Sequence, residues 1–488
     1  MTLSTLLLSF ALVAAVLTAV TWKIQKKHFL SFLQYFSGVW FIFSGVVKAV
    51  DPWGTAFKMQ QYFGEFKSTF SETSLKPIVP ALTWMSDNAL GFSIFMIVLE
   101  ILIGVLLILG HRTAFTSWVM LLIMVFFTAL TGYTHLTGYV PDGVNFFEFG
   151  KWGAWVETNM KVTDCGCFGD FLKLAPTVSF YKDLFILMPI TIYFVFKHKH
   201  FVPLMSTLVR KILAWGTVIL VTVFCFRNSF YDEPMVDFRP FRNGVNIRTQ
   251  KEAEEKAQGE VKILSWKLKN EKTGESIELP NEAYMNNYAT TYNKENGWSV
   301  VSQMKSEPSV PHSKISDFVL NDKDGAEIQD SILREPNYMF LVVSWKMLST
   351  ETKKTIQVPD SLFIVDSVKQ TRTFDRVQMR EEVFKSFSFD PEYRWSFTSK
   401  VNPFFEKAEK AGYKTAGLVP FSDPKKIQDL RHDVQAAYPF YTADELVLKT
   451  MIRSNPGVYL LKNGTIVHKW HINQLPAFEK VQADFMSH

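Results

Sequence analysis

The sequence predicts an α-helical polytopic membrane bundle of about six transmembrane helices, followed by a small β-rich module and a soluble α/β domain. Three observations carry this prediction. Long apolar runs crowd into the first 230 of the 488 residues. Basic residues fall in alternate connections between those runs. From about residue 307 short strands alternate with helices, the pattern of a domain built around a largely parallel sheet.

A helix needs ~20 mainly apolar residues to cross a bilayer, because hydrocarbon offers no partner to a free backbone N–H or C=O. Six segments meet this requirement: 3–22, 31–50, 89–110, 113–132, 182–197 and 208–228. Pro189 interrupts the fifth, and Arg210 and Lys211 stand near the start of the sixth. The first has neither the basic leading region nor the small-residue cleavage site of a signal peptide, so residues 1–28 read as a retained anchor. The positive-inside rule assigns "KIQKKH" (23–28), "HR" (111–112) and "KHKH" (197–200) to cytoplasmic turns. The N-terminus then lies outside, as do residues 51–88, 133–181 and everything after about 229. In a Gram-negative cell this is an inner-membrane protein with a periplasmic C-terminal domain. The net charge of +5 is mild, and no Lys/Arg block or basic aromatic motif is present, which argues against nucleic acid. Membrane lipid is the first partner.

Only three cysteines occur, and two of them stand in "VTDCGCFGDF" (162–171), on the predicted outer side where disulfides persist. Cys165 and Cys167 can form a disulfide only if their Cα atoms approach to ~4.4–6.8 Å, which requires the backbone freedom of Gly166. Three readings stand: an exchanging dithiol, a disulfide that stiffens the turn, or half a metal site with His135 as a further ligand. Asp164 and Asp170 oppose thiolate formation, and Lys161 and Lys173 are the near cations in sequence. Cys225, near the outer end of the sixth helix, is a candidate resolving thiol or a small buried apolar residue. Glu100 lies in the middle of "MIVLEILIGV", where a charge must face the bundle interior. Its outlets are an ion pair across the bundle (Lys48 and Asp51 end the preceding helix), a quinone headgroup, or protonation. Lys182 and Asp183 read as interfacial anchors.

"FSGVWFIFSGVVKAVDPWGTAFKMQQYF" (36–63), "FSIFMIVLEILIGVLLILGHR" (92–112) and "DCGCFGD" (164–170) together resemble the MauE/DoxX superfamily of small membrane proteins. The CGCFG string points to the MauE side. The resemblance spans about 29–228, with a long insert at about 137–162. MauE-like proteins are associated with methylamine utilisation, where they support maturation of a disulfide-rich enzyme subunit. DoxX-like relatives include subunits of quinone-linked oxidoreductases. The resemblance therefore implies thiol or quinone redox chemistry, and the residues themselves put forward Cys165, Cys167 and Glu100 as the catalytic set. It implies a membrane quinone as cofactor; the exchange reading adds a periplasmic thiol protein as partner, and its alternative an envelope complex.

Residues 229–306 run in short alternating stretches with turn signals at Asn243-Gly244, Thr273-Gly274 and Asn296-Gly297, a β-rich linker module without an assigned function. Over 307–488 the order is a buried strand "YMFLVVSW" (338–345), a helix (402–413), a strand "KTAGLVP" (414–420) and a helix opening at "SDPKKIQDLRHDV". Ser422 or Asp423 is the expected N-cap of that helix and Pro424 its first turn. A hairpin at Asn463-Gly464 closes the domain. This order resembles the thioredoxin-like domains of TlpA and MauD types, with about 349–395 as an insertion. The resemblance puts a cis-proline at Pro456. The chain departs from it at "VSWKMLST" (343–350), which has no cysteine where a redox-active member carries Cys-x-x-Cys at a helix N-terminus. This domain cannot run dithiol chemistry alone. His468 and His471, flanking Trp470, read as surface residues. The functional expectation is thiol–disulfide exchange through Cys165 and Cys167. Its alternative is a non-enzymatic anchor and binding module of a cell-envelope complex.

Overall fold

The computed structural model describes residues 2–162, 165–366 and 371–486. Its contacts divide the chain into two units, residues 1–238 with 261–307, and residues 239–260 with 308–488.

The first unit begins with α1 (Leu3–Val20), α2 (His28–Val50), α3 (Pro52–Ser71), α4 (Val79–Asp87), α5 (Ala89–Leu109) and α6 (Thr113–Thr137). A long loop leads to α7 (Pro176–Lys182), which runs through a π turn at Asp183–Leu187 into α8 (Met188–Lys197), and α9 (Thr207–Phe226) follows. Among the described residues six helical stretches are long and apolar enough to cross a membrane: Leu3–Val20, His28–Val50, Ala89–Leu109, Thr113–Thr137, Pro176–His200 and Thr207–Tyr231. The chain is a multi-pass membrane protein. The fifth span starts at Pro176, six residues before the sequence expectation. Pro189 does not end it, because the preceding π turn loosens the ladder where proline has no N–H to give. Residues 51–88, expected as a loop, are mostly helical. Asp51 caps α3 by accepting a hydrogen bond from the Gly54 amide at 3.0 Å, and Pro52 supplies the first turn.

Packing of α2 on α5 positions the site. A Cβ on Gly38 would stand 2.6 Å from Ile108 Cγ1 and 3.0 Å from the Gly104 carbonyl. Only glycines let the two backbones come so close, the usual means of association where lipid removes any hydrophobic drive between helices. That approach carries the polar face of α2, with Ser44 and Lys48 four residues apart, against Glu100 on α5.

Two further elements precede the α/β region: α10 (Ile247–Gly259), and a three-stranded antiparallel sheet of β1 (Ile263–Asn270), β2 (Ser276–Pro280) and β3 (Trp298–Lys305), in the order β2-β1-β3. Between β2 and β3 lies α11 (Asn281–Asn287). The expected module over 229–306 is thus divided, and α10 goes with the second unit. Asn246 Nδ2 donates to the Asn463 carbonyl at 2.8 Å, and Glu254 accepts from the Ser313 amide at 2.8 Å and the Ser313 hydroxyl at 2.7 Å.

The second unit continues with α12 (Gln329–Leu333), β4 (Tyr338–Val343), β5 (Ser349–Asp366), β6 (Thr371–Phe389), α13 (Pro391–Ser396), α14 (Asn402–Lys410), β7 (Lys414–Pro420) and α15 (Pro424–Asp433). It ends with β8 (Phe440–Ala443), α16 (Glu445–Met451), β9 (Gly457–Lys462), β10 (Thr465–His471) and α17 (Phe478–Phe485). Five strands form a mixed sheet in the order β10-β9-β4-β7-β8. Neighbours β4/β7 and β7/β8 are parallel, whereas β9 is antiparallel to both β4 and β10. β4 is buried on both faces, which explains its unbroken apolar run. Asn463 (φ +46°) and Gly464 (φ +75°) make the β9–β10 turn, and both need the left-handed region. The segment expected as an insertion is a two-stranded antiparallel ribbon of β5 and β6. Asp423 caps α15, accepting from the Lys425 amide at 3.0 Å. The Asn455–Pro456 peptide bond is cis.

Candidate functional site

Glu100 is surrounded by apolar residues on α5, so its charge has to be matched inside the bundle. Lys48 Nζ lies 2.7 Å from its Oε2, and each side chain is only 7% exposed. The Ser44 hydroxyl lies between two acceptors, Glu100 Oε1 at 2.7 Å and the Cys167 carbonyl at 2.8 Å. The ion pair is thereby tied to the backbone of the CGC turn. The Lys48 ammonium also stands 5.3 Å from the centre of the Phe127 ring.

A second buried pair lies beside the turn. Lys182 Nζ is 3.0 Å from Asp183 Oδ1, with the side chains 4% and 3% exposed. This corrects the reading of these residues as interfacial anchors. Because α7 begins at Pro176, they lie more than a turn into the span. The Lys182 ammonium also faces the rings of Trp40 and Phe168, at 5.4 and 5.7 Å. Asp183 Oδ2 is buried with no hydrogen-bond partner among the described residues.

The CGC turn is a short hairpin, with the Cys165 amide bonded to the Leu174 carbonyl at 3.2 Å and a bridge between Phe168 and Leu172. Gly166 sits at φ +64°, and a Cβ there would meet Lys58 Cγ at 3.0 Å, so both backbone and space select glycine. Cys165 and Cys167 are free, half-buried thiols. The Ser179 hydroxyl donates to Cys165 Sγ at 2.8 Å, and the Cys167 amide does so at 3.4 Å. The two cysteines differ in acidity. A hydrogen bond from the Cys167 thiol, opposed by burial and helped by the Lys182 charge and Ser179, pulls Cys165 down to about 6. Giving that bond, together with burial and the adjacent negative charge, raises Cys167 well above the ordinary thiol range. Hydrogen bonding and the Lys182 charge thus favour ionisation at Cys165 over Cys167.

Asp170, expected to oppose ionisation, is paired with Lys173 at 3.5 Å, and Asp164 lies outside the described residues. The cation that counts is Lys182, and the sequence reading missed it together with Ser179. Their spacing, Ser179-x-x-Lys182, puts both on one face of α7 and was the available signal. His135 Nδ1 lies 3.0 Å from the Thr177 hydroxyl, with its ring stacked on Phe180. Among the described residues no group of three His, Cys, Asp or Glu is placed to hold a metal ion. Cys225 is fully buried in a cluster with Ala49, Ile94, Ile97, Ile101 and Val221.

Cys165, Cys167, Lys48, Glu100, Lys182 and Asp183 all line one cavity of about 460 Å³ whose remaining wall is largely aromatic and aliphatic. In the second unit, the loop after β4 is closed by neutral bonds. Ser344 Oγ donates to Asn455 Oδ1 at 2.8 Å, and Asn455 Nδ2 donates to the Lys346 carbonyl at 2.8 Å. His471, expected at the surface, is buried and accepts from the Asn473 amide at 3.1 Å.

Bundle and cavity together define a multi-pass membrane protein with a thiol pair beside buried charges, extended by an α/β region with several sheets. Residues 26–142 match the family model described as Methylamine utilisation protein MauE. The match takes in α2 to α6 and stops before the CGC turn. No curated protein and no solved structure matches the chain.

Proposed function

We propose that this membrane protein supports thiol–disulfide exchange in the maturation of exported proteins, with Cys165 and Cys167 as the exchanging pair. The observation that carries this reading is the placement of two free thiols one glycine apart on the cavity wall, with the Ser179 hydroxyl donating to Cys165 Sγ at 2.8 Å and the Cys167 amide at 3.4 Å. The Cys165 thiolate attacks one sulfur of a partner disulfide. A mixed S–S bond forms, and the partner's other sulfur leaves as thiolate. Cys167 then gives up its proton and attacks Cys165 Sγ, which releases the second partner sulfur. The partner gains two electrons and becomes a dithiol, while the pair becomes a disulfide; the reverse sequence oxidises a partner dithiol. Glu100 acts here as a positioning residue, through Ser44 and the Cys167 carbonyl.

In this reading the CGC turn and the α/β region face the periplasm from an inner-membrane bundle, on the strength of the basic turns at 23–28, 111–112 and 197–200. The MauE match supports a role as a membrane accessory in methylamine utilisation. The strand order β10-β9-β4-β7, with its parallel β4/β7 pair, supports the thioredoxin-like reading of the second unit. That unit holds no cysteine, so it docks a soluble thiol protein, through the Pro456 face, rather than reducing it. A second reading, an anchor and binding module of an envelope complex with a structural CGC turn, is favoured by the closed Ser344–Asn455 contact.

The Cys167→Ser variant tests the choice. It is expected to accumulate a mixed disulfide with an envelope protein, released by reductant. A Cys165→Ser/Cys167→Ser chain that supports maturation at the wild-type level would leave only the second reading.

A further inference from the structure

The resolving step needs a proton acceptor that the thiol pair does not itself supply. Cys167 holds its proton, because the bond it gives to Cys165, burial and the neighbouring negative charge keep it above the ordinary thiol range. Once Cys165 is joined to a partner, its sulfur is neutral and no longer draws on that proton. Cys167 attacks only as a thiolate, so a base has to stand by. Among the described residues that line the cavity the carboxylates are Glu100 and Asp183, and there is no histidine. Glu100 is committed: Oε1 accepts from the Ser44 hydroxyl at 2.7 Å and Oε2 from the Lys48 ammonium at 2.7 Å. Asp183 is only half committed. Its Oδ1 faces Lys182 Nζ at 3.0 Å, while Oδ2 is buried and has no hydrogen-bond partner among the described residues. A buried acceptor left open costs stability, and a reaction that uses the atom accounts for keeping it. The backbone is irregular at this point too. A π turn starts at Asp183, with the Met188 amide bonded to the Asp183 carbonyl, and such turns collect at functional positions. The other ionisable groups on the cavity wall are Lys182 beside it, Lys48 from α2, Glu100 from α5, Lys58 and Tyr62 from α3, and the two cysteines; α6 brings none.

We propose that Asp183 is the general base of the resolving step, its open Oδ2 taking the proton of Cys167. The inference rests on the exchange reading and adds the group that completes it. The proton passes from Cys167 Sγ to Asp183, directly or through one water. With Asp183 neutral, the Lys182 charge is left to favour the new thiolate. That thiolate attacks Cys165 Sγ. The Cys165–Cys167 bond forms, the bond from Cys165 to the partner breaks, and the partner sulfur leaves with the electron pair as a thiolate. In the reverse direction a partner thiolate opens the Cys165–Cys167 bond, and Asp183 returns the proton to the departing Cys167 sulfur.

The test uses the full chain in detergent on a Cys225→Ala background, which leaves the pair as the only cysteines. The reduced protein is mixed with one equivalent of dithiobis(nitrobenzoate), whose aromatic thiolate absorbs visible light when it is released. Attack by Cys165 frees the first thiolate and resolution by Cys167 frees the second, so the absorbance separates the two steps. In Asp183→Asn the first release should be kept, while the second slows by about a hundredfold or more at neutral pH. Raising the pH should restore the variant about tenfold per unit, as hydroxide replaces the missing base, whereas the second release of the parent chain levels off. Asp183→Glu keeps the carboxylate and should recover most of the rate. A merely structural Asp183 would slow both releases together and leave their pH dependence alike. That result overturns the proposal, as does a second release in Asp183→Asn at the parent rate. If Asp183→Asn does not fold, the parent profile decides. A second release that climbs about tenfold per unit from about pH 6 to about pH 9 uses no internal base, and the proposal falls. A folded parent chain that frees one thiolate and stops has no resolving step, and the exchange reading falls with the base. Two releases untouched by Asp183→Asn remove the base alone.

Discussion

The membrane unit and the α/β unit each hold a tight polar cluster at a turn, and they hold it by opposite means. At the CGC turn the cluster consists of charges: Lys48 with Glu100, and Lys182 with Asp183, all nearly dry. At the turn after β4 it consists of neutral amide and hydroxyl groups, Ser344, Asn455 and the Lys346 backbone. Charge inside hydrocarbon is costly and is kept where a neighbouring group needs its field. On the exchange reading, a thiol that has to ionise is such a group. The β4 turn has no thiol to activate, and neutral bonds suffice to pin it.

The largest expected effect separates buried from exposed ion pairs. Lys48→Met leaves the buried Glu100 carboxyl with its Ser44 hydrogen bond but without its ion-pair partner, and should lower stability by about 3–5 kcal/mol. Lys407→Met breaks the pair with Glu479 in the α/β unit, where the side chains are 53% and 64% exposed, and should cost under about 1 kcal/mol. Thermal unfolding of each variant in detergent measures both. Equal shifts would show that the bundle charges are hydrated, and the contrast between the units would collapse.

Next comes the acidity of Cys165. Its thiolate is present above about pH 6 and is lost as pH falls through that value, so the rate of alkylation should drop about tenfold per pH unit below it. Cys167, held in its protonated form, should stay unlabelled through neutral pH. Mass spectrometry of the peptide after timed iodoacetamide pulses reads the two sites separately. In Lys182→Met the midpoint should move upward, because the ammonium that favours the thiolate is gone. An unmoved midpoint would reassign the effect to the hydrogen bonds alone.

A smaller effect is expected at the neutral turn. Asn455→Ala removes the side chain that bonds to Ser344 and Lys346, and should cost about 1–2 kcal/mol. Partner trapping through Cys165 should be unchanged. Loss of trapping with the stability intact would mean that this turn takes part in recognition, and the division of labour between the units would be redrawn.

Most of the helices and strands were legible because their signals are local. Apolar runs of span length gave six membrane helices, Asn463-Gly464 gave a hairpin, and Asp423-Pro424 gave a helix start. The pairing of Glu100 with Lys48 was within reach, since a charge in the middle of a span needs a partner and few were available. Lys182 was misread for a reason of the same kind. The apolar run begins at residue 182, but the helix begins at Pro176, and those six residues decide whether a lysine sits at the interface or inside. The places of Ser179 and of Asp183 Oδ2, which has no hydrogen-bond partner among the described residues, depend on how α7 rotates against the CGC turn, which no local pattern records. The helical character of 51–88 was hidden by its mixed polarity, because α3 packs on α5 without being apolar enough to span.

The smallest effect concerns the third cysteine, where sequence alone left two roles open. Cys225 is packed on all sides by Ala49, Ile94, Ile97, Ile101 and Val221, and it is absent from the cavity wall that Cys165 and Cys167 share. To resolve a mixed disulfide its sulfur would have to leave that cluster and approach Cys165 within bonding distance. Cys225→Ala should therefore cost only about 1 kcal/mol, the loss of one small buried apolar group. Maleimide tagging of the other two cysteines should be unaltered in the oxidised and reduced states. If Cys225→Ala instead trapped Cys165 with its partner as Cys167→Ser is expected to, the resolving thiol would be on α9. The CGC pair would then be a nucleophile and its neighbour rather than a couple.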